Sequence, residues 1–156
     1  MGHVDTTITI TNAIDQARAE AGEIDEAAVR SVTLDGVLVD TGATHLSLPA
    51  SLVARLGLRP LRELTMSTAA GPRPTRLLQD AVLTVLGRSS PMPVLELPEG
   101  VRPLLGVTPL EVLGLQPNMV KRRLELLPEG PTDTYVNAFV DAPIGLGAGT
   151  TNIKTE

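Results

Sequence analysis

The stretch Val37-Leu38-Val39-Asp40-Thr41-Gly42-Ala43-Thr44 runs an apolar strand straight into an acid, a hydroxyl and a glycine. A carboxylate at the end of a buried strand is costly unless hydrogen bonds hold it. The hydroxyl and backbone N–H groups of Thr41, Gly42 and Ala43 are donors suited to a tight turn. Gly42 also lets another backbone approach closely. In an arbitrary chain the same residues describe an Asx-type turn after a strand. The order of elements around them decides between that turn and a reactive carboxylate.

Upstream, residues 31–39 are rich in β-branched residues and Leu, but their buried parity changes from Val32 and Leu34 to Val37 and Val39. A bulge at Gly36, or a tight Asp35-Gly36 hairpin, accounts for the change. Residues 6–11 alternate Thr and Ile, as a strand with one buried face does. Between these strands, residues 14–30 read as a surface connection, either a solvated loop or one or two short helices around Gly22.

Downstream, residues 46–48 form a short strand and Pro49 opens a helix in which Leu52, Val53 and Leu56 share a face until Gly57 stops it. Residues 61–68 and 75–86 read as strands flanking Ala69-Ala70-Gly71-Pro72, a sequence suited to a hairpin tip. Residues 94–97 and 101–105 add two short strands. Thr108-Pro109-Leu110-Glu111 then places Thr as N-cap, Pro at the first helical position and Glu where a capping box needs it, and Gly114 ends that helix. A last strand covers 124–127. Beyond Pro128 the chain turns polar and Gly-rich, and 141–156 is expected to be a mobile tail.

The motif Leu38-Val39-Asp40-Thr41-Gly42-Ala43 resembles the signature of the retropepsin-like aspartic proteases. The resemblance extends over roughly residues 6–127. The family follows its motif with a strand ending in a turn, a flap hairpin, and a turn of two apolar residues and Gly before a short C-terminal helix and strand. Here 44–49, 61–86 and Leu104-Leu105-Gly106 fall in that order. The resemblance implies an all-β, retropepsin-like acid-protease barrel with a flap hairpin and a short C-terminal helix, assembled as a twofold dimer. It also implies an aspartic endopeptidase that needs neither cofactor nor metal, with Asp40, Thr41 and Gly42 catalytic and Ala43, Ala70 and Gly71 binding substrate. In it, Thr41 knits the two active-site turns together, Gly42 accepts substrate main-chain contacts, and the hairpin around Gly71 folds over the peptide. The long 14–30 connection and the extension after Pro128 are similar to those of bacterial single-domain members. Val107-Thr108 stands where the family commonly carries a polar pair ending in Asp or Asn.

Such chemistry needs two carboxyls, one ionised to activate water and one protonated to polarise the scissile carbonyl. The chain holds one Asp-Thr-Gly, and neither Asp80 nor Asp133 is followed by Gly, so a complete site requires a second copy with Asp40 on the twofold axis. A non-catalytic dimer that keeps the fold and grips a peptide by strand addition is the alternative. An intact Asp-Thr-Gly-Ala favours the enzyme.

Composition narrows the other classes. The chain has 156 residues, 42% apolar and 20% charged, enough for one domain with a sizeable core. With no Trp, one Tyr and one Phe, that core is aliphatic and base-stacking platforms for nucleic acid are excluded. Lys and Arg number 13 against 18 acids, and a net charge of −5 attracts neither phosphate backbones nor anionic membranes. The absence of Cys rules out disulfides, thiolate nucleophiles and Cys-ligated zinc. No leader or span pattern is evident, so the expectation is a cytoplasmic protein with peptide or protein substrates. Gly2 with Thr6 fits the loose N-myristoylation pattern, but no polybasic signal follows. His45 lies close to the motif without a Gly-x-Ser-x-Gly or His-Glu-x-x-His partner, and reads as a turn histidine. Lys121-Arg122-Arg123 reads as a solvated strand edge. Residues 1–127 are expected to form the protease domain and 128–156 an extension.

Overall fold

In a computed structural model, residues 2–130 and 134–136 are described. The Thr/Ile alternation makes β1 (Val4–Asn12), longer at both ends than its core pattern. Its buried side chains include Ile8 and Ile10, while on the other face Thr7, Thr9 and Thr11 hydrogen-bond to Asp35, Thr33 and Ser31 of β2 (Ser31–Val39). The two strands are antiparallel, and their register shifts where Asp35 and Gly36 oppose Thr7. The parity change in β2 is therefore a bulge and not a hairpin, with Gly36 at φ 65° supplying the left-handed residue it needs.

Between these strands, residues 13–28 form α1 (Ala13–Glu20) and a 3-10 turn (Glu26–Ala28). Asn12, 1% exposed, caps α1 by accepting the Asp15 N–H at 3.0 Å and donates its Nδ2 to the Leu56 carbonyl at 2.8 Å. Asp15 in turn accepts the backbone N–H, Nε and Nη2 of Arg30 at 3.0, 2.7 and 3.0 Å. A surface connection is thus pinned at both ends by buried polar groups with their partners in place.

The chain continues through β3 (Leu46–Pro49), α2 (Ala50–Leu56), β4 (Arg59–Thr68), β5 (Gly71–Val85), β6 (Arg88–Leu97) and β7 (Leu104–Leu105). It ends in α3 (Val107–Leu113), β8 (Leu115–Asn118) and β9 (Arg123–Leu126). The strands β1-β2-β7-β3-β6-β5 close into a six-stranded barrel through the β1–β5 pairing, and β4 lies outside it on β5. Its interior is aliphatic, with Val37, Leu46, Leu48, Leu78, Leu83 and Leu105 fully enclosed. No helix among the described residues is long and apolar enough to cross a membrane.

Several boundaries differ from the sequence expectation. Pro49 is the last residue of β3 and the N-cap position of α2, one step earlier than a helix-opening proline. β6 starts at Arg88 and not at 94, because Pro91 and Pro93 lie where β6 pairs with β5 alone; β3 joins only from Val94. A missing N–H is harmless on such a free edge. The 101–105 strand shrinks to Leu104–Leu105, and β8, which pairs with β9, was not expected. The predicted tail, 141–156, together with Asp133, lies outside the described residues.

The Asp15–Arg30 contact makes a prediction. Hydrogen bonds from the Arg30 side chain, then from its backbone, hold the Asp15 carboxyl at about 2, below its ordinary 3.8, against an opposing push from burial. A lowered carboxyl stabilises the fold fully above 3.8, and that contribution drains away as pH falls through about 2. Half-exposure of Arg30 to solvent screens the effect. Asp15→Asn should therefore flatten the loss of stability across this window, measured by urea unfolding at stepped pH.

Candidate active site

β2 delivers Asp40 one residue beyond its last strand position. The Asp40 N–H donates to the Leu105 carbonyl at 3.0 Å, prolonging the parallel β2–β7 ladder, and the chain then turns. Within the turn the Ala43 N–H donates to the Asp40 backbone carbonyl at 3.1 Å, and the Gly42 N–H donates to Asp40 Oδ1 at 2.9 Å. Of the three expected donors, Gly42 alone holds the carboxylate, Ala43 closes the turn, and the Thr41 hydroxyl has no hydrogen bond among the described residues. Asp40 is half-buried, Thr41 and Gly42 are exposed, and no cation pairs with the acid among the described residues. A Cβ on Gly42 would sit 3.2 Å from Asp40 Oδ1, so glycine keeps this oxygen uncrowded.

The turn is seated on the start of α3. Gly106, Val107 and Thr108 donate their N–H groups to the carbonyls of His45, Ala43 and Thr44 at 3.2, 2.8 and 2.9 Å. These bonds replace the predicted side-chain cap: the N-cap position is Gly106, and Thr108 lies inside the helix. A helix start needs acceptors for its first N–H groups, and here a distant loop provides them. Gly114 does end α3, at φ 64°.

Ala70 and Gly71 lie elsewhere, at the tip of the β4–β5 hairpin. Thr68 pairs with Gly71, which leaves Ala69-Ala70 as the turn and puts Gly71 and Pro72 in the strand. The Thr68 hydroxyl donates to the Gly71 carbonyl at 2.6 Å and accepts the Ala70 N–H at 3.2 Å. No hydrogen bond joins this tip to the Asp40 turn among the described residues. Beside the hairpin a cleft of about 810 Å³ is lined by Met66, Thr68, Arg73, Thr75, Leu97 and Val101, and not by the Asp40 turn. A smaller cavity of about 350 Å³ touches Thr41, Val107, Glu111 and Tyr135. His45, the turn histidine, is held below its ordinary 6.5 by burial and then by Arg62, and so is neutral at pH 7.

The contacts of two contributors escape sequence reading. Gly106 was legible as the glycine of the turn before α3, but not its close approach to the Ala43 and His45 carbonyls. Arg88 donates Nη1 to the carbonyls of Leu113 and Gly114 at 2.9 and 2.8 Å and Nη2 to that of Leu127 at 2.6 Å, with the Tyr135 ring 4.9 Å away. It thereby ties the C-terminal end of α3 to the segment after β9. Backbone carbonyls leave no mark in a sequence, so nothing there distinguishes Arg88 from a surface arginine.

An aliphatic barrel that presents an acid-hydroxyl-glycine turn on the start of a short helix is the arrangement of a retropepsin-like acid protease. The family described as aspartyl protease, of the retropepsin-like clan, matches residues 26–109, or 84 of 156 residues, and the chain belongs to it. The match runs from the 3-10 turn through the Asp40 turn and the hairpin into the first turn of α3, leaving out β1, β8 and β9. No curated protein matches the chain.

The seat of the turn is open to a direct test. A Cβ at position 106 would lie 2.6 Å from the Ala43 oxygen and 2.7 Å from that of His45, both backbone atoms that cannot swing away. Gly106→Ala should cost about 3 kcal/mol and lower Tm by roughly 10 °C. An unchanged melting curve would show that the clamp tolerates displacement.

Proposed function

We propose that the chain is an aspartic endopeptidase that works as a twofold homodimer, with Asp40 of each copy contributing one carboxyl. The observation that carries this reading is the Asp40 turn in an aspartyl protease family member: an acid held by the Gly42 N–H and, among the described residues, paired with no cation. One ionised Asp40 takes a proton from water as the water oxygen bonds to the scissile carbonyl carbon. The protonated Asp40 of the second copy gives its proton to the carbonyl oxygen. The tetrahedral diol then collapses: one of its hydroxyls returns a proton to the second Asp40, the C–N bond breaks, and the nitrogen leaves with the proton first taken from water. Exposure of Thr41 supports its role in joining the two turns, and exposure of Gly42 supports main-chain contact with substrate beside Ala43.

The β4–β5 hairpin is the proposed flap, with Ala70 and Gly71 over the peptide. At Gly71 a Cβ would meet nothing within 4 Å, but φ is 105°, so a side chain there is strained by the backbone and not by crowding. Residues 1–127 form the catalytic unit in this reading and 128–156 an extension.

Asp40→Asn keeps the size of the side chain but cannot accept the water's proton. Cleavage of a peptide library, read by mass spectrometry, should fall at least about 1000-fold in this variant, with the oligomeric state unchanged. Specific activity should also fall on dilution below the dimer dissociation constant, and rate should peak on the acidic side of neutrality because two like charges in contact share one proton. Cleavage that survives in pure Asp40→Asn protein, or a rate that climbs steadily to alkaline pH, overturns the assignment.

A further inference from the structure

The cleft beside the hairpin is electrically lopsided. Residues opposite one another in an antiparallel pair share a face. The pairs Arg62↔Leu77, Leu64↔Thr75 and Met66↔Arg73 therefore put Arg62, Met66 and Arg73 on the same side as buried Thr75 and Leu77. The pair Glu63↔Arg76 lies on the other side. There Arg76 grips Glu96 of β6 with two bonds, Nε to Oε1 at 2.9 Å and Nη2 to Oε2 at 2.7 Å, so that Glu96, which also borders the cleft, is neutralised. Glu99, next to Pro98 on the opposite wall, has both oxygens engaged by Ser51, one by its N–H at 2.9 Å and one by its hydroxyl at 2.8 Å.

Both carboxylates thus have hydrogen-bond partners, although serine leaves the charge of Glu99 in place, whereas two arginines on the hairpin have none among the described residues. Arg73 lines the cleft, is exposed, and makes no ion pair or hydrogen bond among the described residues. Arg62, further along the same face, is equally unpaired among them, and it is close enough to His45 to oppose its protonation. A guanidinium presents paired N–H groups that match the two oxygens of a carboxylate. Met66, Leu97, Pro98 and Val101 supply an apolar part of the lining, beside the hydroxyl-bearing Ser67, Thr68 and Thr75.

We propose that this cleft selects peptide segments in which an acidic side chain lies beside an aliphatic one, with Arg73 taking the carboxylate and Met66, Leu97 and Val101 the aliphatic group. Arg73 is then a specificity-determining residue. The inference rests on the peptidase reading for what enters the cleft, and goes beyond it in naming the substrate class. The net charge of −5 works against acidic ligands at long range, but at physiological salt screening acts beyond about 8 Å, which leaves the choice to the local cation.

The test separates binding from cleavage. Three fluorescent peptide libraries with a randomised aliphatic segment, carrying Glu, Gln or Lys at a scanned position, are titrated by anisotropy against the full-length Asp40→Asn protein. The Glu library should bind about tenfold tighter than the Lys library, and added salt should shrink the gap. Arg73→Glu should invert the order and Arg73→Gln abolish it, with circular dichroism unchanged at this exposed strand position. Equal affinity for the three libraries, no binding by any of them, or a preference that survives Arg73→Glu overturns the inference. Asp40-dependent cleavage without charge preference would overturn it and leave the peptidase reading standing. An acid preference in binding with no cleavage by the native chain would uphold it and sink the peptidase.

Discussion

A clamp made only of backbone groups holds the candidate site together. Three carbonyls in the segment after Asp40 accept the first N–H groups of α3, and the Asp40 N–H itself bonds to Leu105 just ahead of that helix. Each side satisfies what the other lacks: the helix start has N–H groups with no partner inside the helix, and the irregular loop has carbonyls with no strand beside them. Such a contact is possible only where the two segments meet without a side chain between them, which is why position 106 is glycine. Segments more than sixty residues apart in sequence are thereby set at hydrogen-bonding distance, and the acid inherits its direction from this arrangement.

The barrel makes that meeting possible. β5 is long enough to serve β4, β6 and β1 at once, and its pairing with β1 closes the ring. Closure requires strands to bend, and the bends are local. One lies at Asp35-Gly36. The other lies at Gln79-Asp80, where Asp80 takes φ 74° and its carboxylate is held by Arg59 Nε at 2.5 Å and Nη2 at 3.2 Å. A left-handed aspartate is strained, and a salt-bridged one inserted into a ladder marks a bulge that re-aims the hairpin beyond it. The aliphatic interior suits so tight a ring, since small branched side chains fill it without rings or polar tips to accommodate.

Acid and cleft are separate features of one chain. The Asp40 turn belongs to the barrel end at β7 and α3, whereas the cleft of about 810 Å³ belongs to the hairpin and the end of β6. The charges follow the same division: around the cleft, carboxylates are bound to Arg76 or Ser51, and the guanidiniums of Arg62 and Arg73 have no partner among the described residues. The barrel therefore positions the Asp40 carboxylate, while the hairpin carries the arginines on the face beside the cleft.

Much of this was legible in residues 31–49. The apolar run ending at Asp40, the parity change at Gly36 and the glycines closing α2 and α3 are each local requirements of strand, bulge or helix end, and local requirements are written in adjacent residues. Legibility stopped where a requirement is met by a distant group. Thr108 looked like a helix cap because the rule for capping is local, yet the cap came from carbonyls of the Asp40 turn. The strand through Pro91 and Pro93 was hidden because those prolines are harmful only if a second neighbour needs their N–H, and whether one does is a matter of sheet order. By itself the sequence determined the acid, its turn, the aliphatic core and the family; tertiary structure alone decided the surroundings of Gly106, Arg88 and Arg73, because the groups that lie beside them are brought there only when the barrel closes.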